Sequence, residues 1–271
     1  MLDALTVAPL MRFVADIYPV ILQSDLYRYL IGAGGTFLLI NVLLSARLAS
    51  RKIRQETPQA RQIIREILTS LRTVVIFSLV GLTIAILANL GWLPVYEDPG
   101  QYGWAYFAIN VVALIVAHDA WFYWTHWFMH RPKLFRWFHR LHHRSYNPTP
   151  WTAYAFDASE AFVNAVFLLL FMAIMPTSVL AAFIFTAHMM LRNAIGHSGY
   201  EIFPANREGR PLFDWMATVT HHDLPHARPR ANFGLYFTWW DKLMGTEDPT
   251  YYDEFQRAVT RCALRTRRPA N

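Results

Sequence analysis

The sequence predicts an all-α, polytopic membrane bundle, with about four transmembrane helices or hairpin-forming segments and a helical, histidine-rich cap on its cytoplasmic end. Three observations predict it. The 271 residues are 54% hydrophobic and only 16% charged, whereas soluble domains carry about 25% charge. Four stretches, 29–46, 73–96, 99–117 and 161–187, contain no charged side chain. All 11 histidines fall between His118 and His226, a segregation that scattered core or surface histidines would not show.

The N-terminal stretch is expected to stay on the chain. Asp3, Arg12 and Asp16 interrupt it, and no small-residue cleavage site of a signal peptide follows. A spanning helix needs about 20 mainly apolar residues, which the runs 29–46 and 73–96 reach with modest extension at their ends. The loop between them holds Arg47, Arg51, Lys52, Arg54, Arg61 and Arg65. The third run continues through Trp121, Phe122, Tyr123 and Trp124 towards the first histidine pair. Arg131, Lys133, Arg136, Arg140 and Arg144 follow it. The positive-inside rule places both basic groups on the cytoplasmic side. The fourth run is 27 residues long with Pro176 in its middle. It reads either as one kinked span or as two half-helices meeting at a turn. A single span would put 197–271 on the opposite side of the membrane. A re-entrant pair returns the chain and lets the histidine clusters meet, so we prefer the pair. The segment from about 250 onwards, with Arg257, Arg261, Arg265, Arg267 and Arg268, is a basic tail that is either solvated or laid on the membrane surface.

Charge and cysteine content exclude other classes. The net charge of +6 is nearly all arginine, since Lys52, Lys133 and Lys242 are the only lysines. These charges flank apolar runs, which points to an anionic membrane face and not to nucleic acid. A single cysteine, Cys262, allows neither an internal disulfide nor a Cys-x-x-Cys site.

The histidines are spaced for ligation. His126 and His130 are four apart, His139, His142 and His143 follow i, i+3, i+4, and His222 and His226 are four apart with His221 beside them. On helices each set shares one face, and neutral imidazole is the commonest metal ligand. One such pair is weak, and the triple has a rival role in binding anionic headgroups beside Arg140 and Arg144. Three clusters in one membrane protein point to a shared metal. His118 and His188 lack this support and read as hydrogen-bonded core histidines. A zinc hydrolase would need a base as in His-Glu-x-x-His, which is absent. Haem would use two histidines and leave the rest unexplained. Iron, zinc and copper all suit such a site, and spacing does not choose among them.

The run Asp119-x-x-x-Tyr123-Trp124-x-His126-x-x-x-His130, then His139-x-x-His142-His143, then Asn147-Pro148-Thr149-Pro150-Trp151 resembles the fatty acid hydroxylase / sterol desaturase superfamily. So do the stretch from Gly196 and His197 to Glu201 and the stretch from Asn232 to Thr246. The similarity covers about 105–248 and marks it as the catalytic domain, between an N-terminal transmembrane region (1–104) and the tail (249–271). The resemblance implies a di-iron centre at the cytoplasmic face that activates O2 to hydroxylate or desaturate a lipid. It implies His126, His130, His139, His142, His143, His197, His222 and His226 as ligands. The sequence departs from the family at Pro225, where a further histidine is expected, with His221 or His188 as possible substitutes. It departs again at Trp127, where the family often has arginine.

The acids Asp119, Asp157, Glu160, Glu201, Asp223 and Asp241 are candidates to accept imidazole N–H groups and fix ring tautomers. Asp119 and Asp223 stand first as catalytic candidates because they lie within the motifs. A lipid tail is expected to enter beside Trp121, Phe122, Trp124 and the 161–187 region, although the same aromatics would serve as an interface belt. The chain carries no dinucleotide fingerprint or cysteine cluster, so an external reductase, ferredoxin or cytochrome is implied as electron donor. The alternative function is a membrane metal- or haem-binding protein without oxygenase activity. The arginine bias suggests a bacterial inner membrane.

Overall fold

The computed structural model describes the backbone of residues 4–265 and the side chains of 8–260. The side chains of Arg261, Arg265, Arg267 and Arg268, on which the expected basic tail rests, lie outside the described residues.

Four helical segments are long and apolar enough to cross a membrane: Ala8–Leu43, Ala60–Asn89, Trp104–Met129 and Val179–Gly196. The first begins earlier than the uncharged run suggests. Helix α1, Ala4–Tyr29, admits Pro9 and Pro19 and continues through wide, i→i+5 turns at Leu30–Gly34 and Phe37–Leu43. Such turns mark places where a helix accommodates a neighbour. Here a side chain at Gly32 would meet Met190 at 2.6 Å, so only glycine lets this segment lie against the Met190 helix. Helix α2, Ala60–Asn89, packs on α1, and a strand β1, Val95–Tyr96, leads to α3, Trp104–Met129.

A short helix α4, Pro132–Phe138, follows at the histidine end. The uncharged run 161–187 is then divided into α5, Ala158–Ile174, and α6, Val179–Gly196. Between them strand β2, Thr177–Ser178, pairs in parallel with β1, Val95 opposite Thr177 and Tyr96 opposite Ser178. Tyr106 and Asn110 of α3 donate to the Pro176 carbonyl at 2.8 and 3.1 Å. The turn is therefore pinned at the end of the bundle away from the histidines, and the chain comes back. The chain thus returns as the expected pair does, although α6 alone is long enough to cross a membrane, and both helices pack on α3.

The main core joins α1, α2, α3, α5 and α6 around Tyr29, Leu114, Tyr154, Phe167 and Phe185. The tight turn Pro150–Tyr154 is wedged into it. The Trp151 carbonyl accepts from Tyr29 at 3.1 Å and from Ser70 at 3.0 Å. The cap is completed by α7, Val219–Ala227, α8, Trp239–Met244, and α9, Tyr251–Arg265, with Leu224, Tyr251 and Phe255 forming a small core of their own.

Candidate metal centre

Three parts of the chain deliver the histidines. The end of α3 carries His126, and His130 follows as its cap. The second group was expected on one helix, but the structure breaks it. Helix α4 stops at Phe138, His139 leaves the helical region with φ −143°, and His142–Arg144 forms a separate tight turn. The break turns the three rings towards different neighbours. His197 caps α6, and His222 and His226 lie one turn apart on α7.

These eight converge. The Nε2 atoms of His126 and His139 are 2.9 Å apart, those of His126 and His130 3.0 Å, and those of His130 and His143 3.2 Å. Across the site, Nε2 of His197 lies 3.3 Å from that of His142 and 3.2 Å from that of His222. The ring nitrogens of His126, His130, His139 and His143 all lie within 4.8 Å of one another, as do those of His142, His197 and His226. The rings of His143 and His226 join the two groups, with centroids 5.1 Å apart.

The outward ring atoms fix the tautomers. Nδ1 of His126 lies 2.9 Å from the Phe233 carbonyl, that of His130 2.9 Å from the Pro229 carbonyl, and that of His197 2.7 Å from the Asn193 carbonyl. A carbonyl only accepts, so these Nδ1 atoms carry the protons and the Nε2 lone pairs face inward. Burial lowers the affinity of the rings for protons. It takes His130 to about 4, His143 to about 3 and His197 to about 4, and it holds His139, His142, His222 and His226 well below the ordinary range. The cluster is thus a set of neutral imidazoles in which at least the lone pairs of His126, His130 and His197 face inward, a crowding of ring nitrogens that a cation between them would relieve. Two imidazoles bound side by side at about 2.1 Å from a metal would hold their nitrogens about 3.0–3.4 Å apart, close to the spacings seen. Two groups of these residues, His126, His130, His139 and His143, and His142, His197 and His226, could each hold a metal ion.

His221 is not part of this. Consecutive helical residues point about 100° apart, so when His222 faces the cluster His221 must turn away. Its ring packs on Tyr251 at 5.1 Å, and its Nε2 lies 3.7 Å from Asp241. His118 and His188 also stay outside, against Tyr236: the hydroxyl is 3.0 Å from His118 Nδ1, and the ring centroid is 4.7 Å from that of His188. No histidine therefore replaces the one expected at Pro225. The chain has instead adapted to the proline. Pro225 has no N–H to bond the His221 carbonyl one turn earlier, and Asn232 donates to that carbonyl at 3.0 Å.

The acids need correction too. Neither Asp119 nor Asp223 touches an imidazole. Asp119 accepts from the backbone of Tyr236 at 2.9 Å and from Trp239 Nε1 at 2.8 Å. Asp241 accepts from Phe233 N and Gly234 N, both at 2.8 Å. Together they shape the segment whose Phe233 carbonyl receives His126. Asp223 is clasped by Arg54, whose Nε lies 3.1 and 3.0 Å from its two oxygens and whose Nη2 donates to its carbonyl at 3.1 Å. Asp157 accepts from Leu141 N, and Glu201 from Phe203 N and Thr220 N. The acid that does approach a clustered ring is Glu160, 2.7 Å from His139 Nδ1 with both residues buried. Its signal in the sequence is an acid placed directly before a long apolar run. Arg54 had no such signal.

An almost wholly apolar cleft of about 930 Å³ opens between α3, α4 and α5, lined by Trp121, Trp124, Phe138, Phe167 and Phe171 among others. Phe122 is not in its wall but buried, with its ring 5.1 Å from His126. Trp127 also borders the cleft, and the Arg131 guanidinium lies 3.7 Å over its ring.

The model of the fatty acid hydroxylase family matches residues 111–246. The chain is similar to a delta(7)-sterol 5(6)-desaturase of Gibberella zeae, 28% identical over 83% of this chain and 71% of the relative. It is similar to the lathosterol oxidase of Rattus norvegicus, 26% identical over 68% of this chain and 61% of the relative. A shorter match joins it to the cholesterol 25-hydroxylase of Rattus norvegicus, 31% identical over 51% of this chain and 46% of the relative. The chain thus spans less than two thirds of the length of the latter two. No solved structure matches it. With the matched segment covering half of the chain and all of the clustered histidines, the chain belongs to the fatty acid hydroxylase family.

Proposed function

We propose that this protein is a membrane-bound oxidoreductase that hydroxylates or desaturates a lipid of sterol or fatty-acyl type, using O2 and electrons from an external donor. The observation that carries the reading is the set of eight histidines, seven buried and His130 partly buried, converging at one end of a membrane-type bundle, beside an apolar cleft large enough for a lipid tail. The names of the relatives, a sterol desaturase, a lathosterol oxidase and a cholesterol hydroxylase, support a sterol-like substrate.

In this reading His126, His130, His139 and His143 hold one iron and His142, His197, His222 and His226 the other. Bound iron would supply O2 activation and the power to attack an unactivated C–H bond, which no amino-acid side chain offers. The protein supplies the rest. Backbone carbonyls hold the Nδ1 protons of His126, His130 and His197, so that Nε2 stays the donor atom. Glu160 orients His139. The cleft walls orient the tail and keep water from the reacting carbon. The chain does not carry its own electron donor in any recognised motif, so a reductase, ferredoxin or cytochrome docks on the basic end, which the positive-inside rule puts in the cytoplasm. The relatives named above are fungal and rodent proteins and lend no support to a bacterial inner membrane.

The test is lipid analysis of a host with and without the gene, grown under 18O2, with His142→Ala as control. A hydroxylated or newly unsaturated lipid that needs intact His142 supports the reading, and identical lipid profiles contradict it.

A further inference from the structure

Away from the histidines and from the apolar cleft, two adjoining clefts on the outer side of α2 share their walls. One, of about 700 Å³, is lined by Arg54, Arg61, Arg65 and Arg144 together with Glu56, Tyr146 and Asn147. The other, of about 420 Å³, is lined by Arg61, Ile64, Arg65, Leu68 and Thr69. The first is basic. Arg54 is spent on Asp223, which leaves three guanidinium groups facing one carboxylate. Among the described residues, the side chains of Arg61 and Arg144 make no ion pair or hydrogen bond, and Arg65 reaches only the Arg144 carbonyl, at 3.1 Å. The second cleft runs on towards the apolar body of α2, where Ile64 and Leu68 are 58% and 63% exposed.

From this we propose that the pair of clefts binds an anionic phospholipid. Its phosphate lies among Arg61, Arg65 and Arg144, and one acyl chain lies along Ile64 and Leu68. The argument for a lipid, over a free phosphate or an acidic protein, is the continuity of the two clefts. A phosphate alone would leave the apolar groove empty. An acidic protein surface would have no use for a groove that descends along a spanning helix. A diacyl phospholipid has both parts at the right separation, with charge at the helix end and hydrocarbon within two turns of it. The site is also linked to the metal centre. Arg144 closes the turn that carries His142 and His143, so a headgroup shared with Arg61 and Arg65 ties that turn to α2. The inference rests on the fold and on charge, and stands whether or not the proposed chemistry is right.

The test uses the purified full chain, stripped of lipid in neutral detergent, and native mass spectrometry of bound dioleoyl phosphatidylglycerol against dioleoyl phosphatidylcholine. The expected result is one retained phosphatidylglycerol in clear preference to phosphatidylcholine. Arg61→Gln/Arg65→Gln should weaken it by about thirtyfold, from about a fivefold contribution per arginine close to a headgroup. Lys133→Gln/Arg136→Gln, on α4, should leave it unchanged. Equal retention by the Arg61/Arg65 variant overturns the site. Inorganic phosphate that displaces the lipid at matching concentration overturns the lipid assignment and makes the pocket a simple phosphate site. An unchanged circular dichroism spectrum of the double variant ensures that a loss is not misfolding.

Discussion

Replacing Arg54 by alanine should destabilise the cap and loosen the metal centre, although Arg54 touches no histidine of the cluster. Its guanidinium makes a forked contact to the Asp223 carboxylate and a third bond to the Asp223 carbonyl. Asp223 lies on α7 between His222 and His226 and is buried, while the Arg54 side chain is 19% exposed. Breaking a fully buried pair by removing one partner costs about 3–5 kcal/mol. The partial exposure of Arg54 puts the cost near the lower end, about 3 kcal/mol, most of it the charge left behind on Asp223. The sign with pH follows. Burial already raises the Asp223 carboxyl above the usual carboxylate range, and Arg54 opposes that rise. Without Arg54 the rise is larger, so the penalty is present where the acid must ionise and fades as pH falls and it protonates. The deficit relative to the unmodified protein should therefore shrink between pH 7 and pH 5. The assay is urea unfolding in detergent, followed by tryptophan fluorescence, with iron content measured in parallel. Arg54→Ala/Asp223→Asn should recover about half of the loss, because the unpaired charge is gone. A loss below about 0.5 kcal/mol, or no recovery in the double variant, would refute the reasoning.

Other outcomes follow from the same geometry. Glu160→Gln keeps the shape but replaces the carboxyl 2.7 Å from His139 Nδ1, a group that burial pushes well above the usual carboxylate range and that a metal on His139 would draw back towards ionisation, and should weaken metal binding about 10- to 100-fold in chelator competition; an unchanged affinity would mean that Glu160 is only packing. Gly196→Ala places a methyl group 3.0 Å from His222 Cδ2 and 3.2 Å from its Cγ, so it should displace that ring and lower iron content in a protein that still folds; full iron content would contradict this. The metal-free protein should lose stability as pH falls from 6.5 towards 4. His130 and His197 hold their protons only near 4 when folded, while the unfolded chain takes them up near 6.5, at about 1.4 kcal/mol per pH unit for each ring. A flat profile in that window would show that the rings are not buried as described.

Much of this architecture was legible in the chain because helical spans and i, i+4 pairs are local. The uncharged runs marked the spanning helices, and Pro176 marked the return between α5 and α6. The eight histidines that the motifs single out are the ones whose rings the structure brings together. What could not be read was rotation and long-range pairing. His221 and His222 are equivalent in sequence, and only the turn of α7 decides which faces inward. The break after Phe138 was hidden by a spacing that fits a helix. Of the six candidate acids the sequence offers, which one approaches a clustered ring is not legible, because their partners are distant: Asp223 meets Arg54 across 169 residues, and Asp119 meets Tyr236 across 117. Glu66 was overlooked altogether. It is buried in the second turn of a spanning helix, where it accepts from Gln62 at 2.7 Å and Thr149 at 2.8 Å, and thereby braces the loop that follows His142 and His143.

The central claim is that eight histidines form one paired metal centre. The most direct test is metal analysis with absorption spectroscopy on the purified protein and on His126→Ala and His142→Ala, one drawn from each group. The account predicts two irons per chain with no haem absorbance, and a loss of iron in both variants. Zinc alone, a haem spectrum, or iron content unchanged by either substitution would contradict it.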